Sequence, residues 1–137
     1  MMRAASHVAS LELCKELYKL SAWKGTFWKF YKNGDQVITH SGIKKHQTSA
    51  YDLGYLLRKL PKVSPSNQDC YLTVIHKNVP KNKKIDKRWT AGYFEGFGWS
   101  WYANADTPED AACLLAIELF KQGILTPEPS SKGSDAK

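Results

Sequence analysis

The side chains best suited to chemistry lie between residues 77 and 102. Residues 77–88 hold six Lys or Arg among twelve positions against one Asp, so most of the net charge of +7 sits in one connection. Lys81, Lys83, Lys84, Lys87 and Arg88 can neutralise phosphates and release their counterions. Trp89, Tyr93, Trp99 and Trp101 follow closely enough for base stacking. Cations that track a backbone, next to aromatic faces that accept any base, point to single-stranded nucleic acid, with Lys81, Lys83, Lys84, Lys87, Arg88, Trp99 and Trp101 as the contacts. The plainer alternative is a solvated lysine-rich loop that guards a strand edge, beside aromatics that belong to a core.

Glu95-Gly96-Phe97-Gly98-Trp99-Ser100-Trp101-Tyr102 resembles the first ribonucleoprotein motif of RNA-recognition domains at Gly96, Phe97, Gly98, Trp99 and Tyr102. It departs from that motif where Glu95 replaces a basic residue and Ser100 an aliphatic one. The stretch from Ser49 to Gln122 shares its element order with double-stranded-RNA-binding domains. Those domains carry lysines at the start of the last helix, where this chain has the phosphate-repelling Glu109 and Asp110. His7, His40, His46 and His76 show no metal-ligand spacing among themselves or with Cys14, Cys70 and Cys113, and none is arranged as part of a triad. No P-loop or nucleophile elbow is present. The expectation is a protein that binds rather than catalyses, with no cofactor and no metal.

The elements that must hold these residues are well marked. Ser10 caps a helix through Leu20, with Leu13, Leu17 and Leu20 on one face. Residues 26–32 and 35–40 flank Asn33-Gly34, a dipeptide suited to a type I′ turn, and form a hairpin. Ser49 precedes Asp52 by three, a capping-box spacing that starts a second helix over 49–60. Its apolar stripe is Leu53, Leu56, Leu57 and Leu60, and Pro61 stops it. Gly54, within it, suggests a close helix crossing or sheet contact. Strands are expected at 70–76, 88–94 and 97–103. The last helix, 107–122, has Thr107 with Asp110 as a capping box, Pro108 at its first position and Gly123 to end it.

This order, α-β-β-α-β-β-β-α with short connections, predicts an α+β protein: an α/β sandwich with one mainly antiparallel five-stranded sheet covered by helices. A chain of 137 residues with 42% apolar content supports one domain, expected over 10–125 between a flexible N-terminus, 1–9, and a disordered tail, 126–137. Three cysteines without paired spacing read as reduced, buried thiols in a cytoplasmic protein, and no apolar run is long enough for a signal peptide or membrane span.

Tyr51-Asp52-Leu53-Gly54-Tyr55-Leu56-Leu57-Arg58-Lys59-Leu60-Pro61, followed by Ala105-Asp106-Thr107-Pro108-Glu109-Asp110-Ala111-Ala112, resembles the phage ABA-sandwich domain, a family of small phage or prophage proteins. The resemblance covers roughly residues 11–125. It implies an α/β sandwich made in a bacterial host cytoplasm and brings no catalytic residues. The function expected is therefore that of a non-enzymatic, phage-type accessory protein acting through a binding surface. Its partner is single-stranded nucleic acid or, alternatively, a host or phage protein.

Overall fold

A computed structural model of the chain describes residues 2–4, 7–23, 26, 28–31, 36–39, 48–65, 70–76, 89–94 and 98–127. The chain is α+β, with three helices and two antiparallel sheets. In chain order the elements are β1 (Met2–Ala4), α1 (Leu11–Ser21), β2 (Trp28–Tyr31), β3 (Gln36–Thr39), β4 (Ser49–Ala50), α2 (Leu53–Lys59), β5 (Tyr71–His76), β6 (Trp89–Phe94), β7 (Trp99–Ala105) and α3 (Pro108–Lys121).

The single five-stranded sheet expected from the sequence is not what forms. One sheet runs β1-β3-β2-β4 and the other β5-β6-β7. Two short segments without strand signals of their own make the difference. Met2–Ala4 pairs with β3, and Ser49–Ala50 pairs with Lys29 and Trp28 of β2. The first pairing falls within residues 1–9, the stretch expected to be a flexible N-terminus. Residues 2–4 are part of a sheet, and Val8 and Ala9 are buried. The hairpin is present, with Tyr31 opposite Gln36, while its Asn33-Gly34 turn lies outside the described residues. The expected disordered tail also lies outside them beyond Pro127.

Helix α3 is the hub. It packs on β5, β6 and β7 on one side and on α1 and α2 on the other, with Ala111, Ala112, Cys113, Leu115, Ala116 and Leu119 fully buried. Small residues at 111, 112 and 116 allow close approach from both sides, and the large ones fill the space between. Thr107 caps the helix by accepting from the Asp110 N–H at 3.1 Å, and Gly123, at φ +78°, closes it. The Asp110 carboxylate does not bond back to Thr107 as a capping box would. It accepts from the Ser10 N–H at 2.7 Å, and Ser10 is itself the N-cap of α1.

Helix α2 begins later than the capping-box spacing predicts. Asp52, not Ser49, is the N-cap and accepts from the Tyr55 N–H at 2.8 Å, because Ser49 is held extended in β4. Leu56 and Leu60 are buried, whereas Leu53 and Leu57 are only partly so, and the helix packs on α3 rather than on a sheet. Gly54 is no close crossing. An added Cβ there would meet only the Arg58 and Asp52 side chains, at 3.4 and 3.8 Å.

Candidate binding surface

In β5-β6-β7, cross-strand partners share a face and alternate residues change face. The face toward α3 carries Leu72 and Val74 of β5, Ala91 and Tyr93 of β6, and Trp101, Ala103 and Ala105 of β7, all in or against the core. Tyr93 is anchored there by its hydroxyl, which donates to the Pro61 carbonyl at 2.8 Å, and burial pushes its phenol pKa up.

The opposite face is open. Its first row is Tyr71, Phe94 and Trp99, the second Thr73, Gly92 and Tyr102, and the third Ile75, Thr90 and Asn104. Tyr71 is 60% exposed, Tyr102 54%, Ile75 43% and Phe94 36%. The Trp99 ring lies 4.8 Å from Phe94 and 6.1 Å from Tyr102, centroid to centroid, so three rings form one continuous patch, with Tyr71 paired beside Phe94. Large aromatics gathered on a solvated sheet face make this the candidate binding surface, since scattered exposed apolar residues are ordinary and contiguous ones are not.

A β-bulge builds this patch. Between the pairs Phe94↔Trp99 and Gly92↔Tyr102, β6 advances two residues and β7 three, so β7 carries one extra residue. Strict alternation would set Trp99 and Trp101 on one face; the bulge sets Trp99 with Tyr102 and turns Trp101 inward. Gly92 makes the approach possible, because a Cβ there would collide with the Trp101 carbonyl oxygen and stand 2.6 Å from the Tyr102 Cβ. The extra residue also brings Ser100 within 2.5 Å of the Ser64 hydroxyl, which is buried.

Of the residues expected to bind, Trp99 stands on the open face and Trp101 does not: it is partly buried against the core on the side of α3. Lys81, Lys83, Lys84, Lys87 and Arg88 lie outside the described residues. Their segment joins β5 to β6 at the end of the sheet where His76 pairs with Trp89, three residue pairs beyond Gly92↔Tyr102. Tyr71, Phe94 and Tyr102 complete the patch; Tyr102 is marked in the sequence only through the ribonucleoprotein-like motif, and Tyr71 and Phe94 are not marked there at all. The available signal was the spacing of aromatics at 94, 99 and 102, which is legible only once the bulge is known.

The third row sets a polar pair, Thr90 and Asn104, beside Ile75. The Thr90 hydroxyl, 2% exposed, donates to the Asn104 Oδ1 at 2.6 Å, and Thr73 turns its hydroxyl back to the Tyr71 carbonyl at 2.8 Å. None of the nine residues in the three rows is charged. An open groove also runs along the β7 edge, lined by Trp101, Ala103, Leu114 and Glu118 among others. Among the described residues no cluster of His, Cys, Asp or Glu is placed to hold a metal ion, and no helix is long and apolar enough to cross a membrane. Comparison of the chain with models of protein families, with curated proteins and with solved structures gives no significant match.

Proposed function

We propose that the protein is a non-enzymatic accessory protein that binds single-stranded nucleic acid on the open face of β5-β6-β7. The observation that carries this reading is the contiguous patch of Tyr71, Phe94, Trp99 and Tyr102 on a sheet whose other face is sealed by α3. Unpaired bases offer flat faces to such rings whatever their sequence, each stacked base contributing about 1–3 kcal/mol. The patch itself is neutral. The cations that steer and hold the phosphates come from residues 77–88, which leave and rejoin the same sheet, and from the net charge of +7. The phage-type setting rests on the resemblance of residues 51–61 and 105–112 and is part of the same proposal.

An uncharged aromatic face also suits a protein partner, and salt separates the two readings. Phosphate contacts give an affinity that falls steeply as salt rises, whereas an apolar protein interface does not. The test is titration of a labelled mixed-sequence single strand at two salt concentrations with wild type, Trp99→Ala and a variant with Lys81, Lys83, Lys84 and Lys87 changed to Ser. Both variants should bind more weakly. The lysine variant should also flatten the salt slope by roughly 0.7 to 1 unit per lost contact. No binding by wild type at low salt, or equal binding by all three proteins, leaves the protein partner as the better reading.

A further inference from the structure

The two edges of β5-β6-β7 differ. Along β5 the Leu72 N–H donates to the Lys62 carbonyl at 2.9 Å and Val63 bridges Tyr71, so the start of that edge is taken. β7 ends the sheet on the other side, and among the described residues no strand pairs beyond it. Alternate residues of such a strand direct both N–H and C=O outward, where they can pair with another chain. Lysine and proline commonly guard an edge, and Trp99–Ala105 contains neither, nor any other charged residue. The bulge between Trp99 and Tyr102 bends the strand there but leaves residues 102–105 in regular register with residues 89–92. Alongside this edge runs the groove that α3 walls with Leu114 and Glu118. Those two residues stand one helical turn apart, about 6 Å, close to the ~7 Å between same-face residues of a strand lying next to them.

We propose that the β7 edge and its groove dock an extended peptide segment of a partner protein, which adds a strand to the sheet and sets an apolar side chain against Leu114 and, two residues away, a lysine or arginine against Glu118. Among the described residues lining the groove, Glu118 is the charged one. Its Oε2 accepts from Gln122 Nε2, a neutral donor, at 2.8 Å, while Lys121 of the same helix is held at 3.1 Å by Glu16 of α1. The carboxylate is thus left for a cation from outside. The net charge of +7 does not cancel it, because most of that charge lies in residues 77–88. They join the sheet at the Trp89–Ala105 pair, four strand residues or about 13 Å from Trp101, which is beyond the screening length of about 8 Å. The β7 strand of a second copy can pair with this edge but brings no cation to Glu118. Residues 128–137 bring lysines but no Leu, Ile, Val, Met or aromatic side chain for Leu114. A segment with the pattern apolar-x-basic supplies both. The proposal does not depend on what the aromatic face binds.

Anisotropy titrations with the full-length protein test this, using a labelled peptide that alternates threonine with valine and carries a lysine two positions after its central valine. A second peptide has glutamate in place of that lysine. Two more keep the lysine and are methylated on one or the other set of alternate backbone nitrogens. Wild type should bind the lysine peptide about threefold to tenfold more tightly than the glutamate peptide, as an exposed ion pair gives way to a like-charge contact. Glu118→Lys should reverse that order, and Glu118→Gln, which keeps the helix and removes the charge, should bind the two alike. Methylation of the set that pairs with β7 should weaken binding by about tenfold or more, while methylation of the other set is tolerated. No binding of the lysine peptide by wild type overturns the proposal, whether the edge is then held by the chain's own tail or by a second copy, the latter appearing as a dimer in sedimentation. An unchanged preference in both Glu118 variants overturns it as well, and so does equal binding of the methylated and unmethylated peptides, which removes the pairing with β7.

Discussion

At Asp110 one carboxylate serves the starts of two helices. It sits in the first turn of α3, whose cap Thr107 accepts from its backbone N–H, and it accepts from the N–H of Ser10, the cap of α1. Burial is the larger influence on this group and raises its pKa above 3.8; the Ser10 hydrogen bond opposes that and the nearby Asp106 adds to it. A raised acid binds its proton more tightly in the folded state, so its contribution to stability is fullest in acid and declines as pH rises from 3.8 through the raised value. Asp110→Asn keeps the acceptor and removes the charge. Denaturant melts should therefore show the variant gaining on wild type between a pH below 3.8 and neutral pH; a constant difference would refute the linkage. The thiols offer a second check at this scale. Cys14, Cys70 and Cys113 are buried and form no disulfide, and burial pushes Cys14 up to about 12 and Cys113 well above its ordinary value. A thiol reagent should find all three only after denaturation without reductant.

Among the elements, the helix termini were the most legible in the sequence, because capping chemistry is local. Thr107, Pro108 and Gly123 have the roles their types dictate, and Ser10 accepts from Leu13 as expected of a cap. Thr107→Ala should cost about 1 kcal/mol, measured as a shift of the denaturation midpoint without loss of folded signal. Where two good caps compete, sequence alone does not choose: Ser49 and Asp52 both qualify, and the pairing of Ser49 with Lys29, far away in the chain, decides for Asp52. The bulge in β7 was invisible for the same reason, since it depends on how β7 registers against β6. Two glycines, one in α2 and one at the bulge, give tests of opposite sign. Gly54→Ala should stabilise by about 0.5–1 kcal/mol, since the added methyl meets only flexible side-chain ends in an exposed helical position. Gly92→Ala should destabilise by about 1–3 kcal/mol and disturb binding as well, because the methyl runs into β7 backbone at the bulge. Equal midpoints for both variants would mean that Gly92 does not set the approach of the two strands.

Across the whole molecule, the division of labour between the two faces of β5-β6-β7 separates stability from binding. Trp101 belongs to the inner face and Trp99 to the outer. Trp101→Ala should lower stability by about 3 kcal/mol, as loss of a large core aromatic does. Trp99→Ala should cost much less stability and show its effect in oligonucleotide affinity; the reverse pattern would invert the assignment of faces. The hub position of α3 has a further consequence for the chain as it is made. Both the sheet it seals and the helices α1 and α2 on its far side wait for a segment that follows all of them in the chain. At about 5–20 residues per second, the ribosome needs roughly 1–5 s to add the residues between the end of β6 and the end of α3. Through that interval the nascent strands have no α3 on which to bury Leu72, Val74, Ala91 and Tyr93. Premature termination ahead of α3 would therefore leave a sticky fragment rather than a smaller working protein, and the nascent chain's exposure to chaperones and proteases is greatest just before α3 emerges.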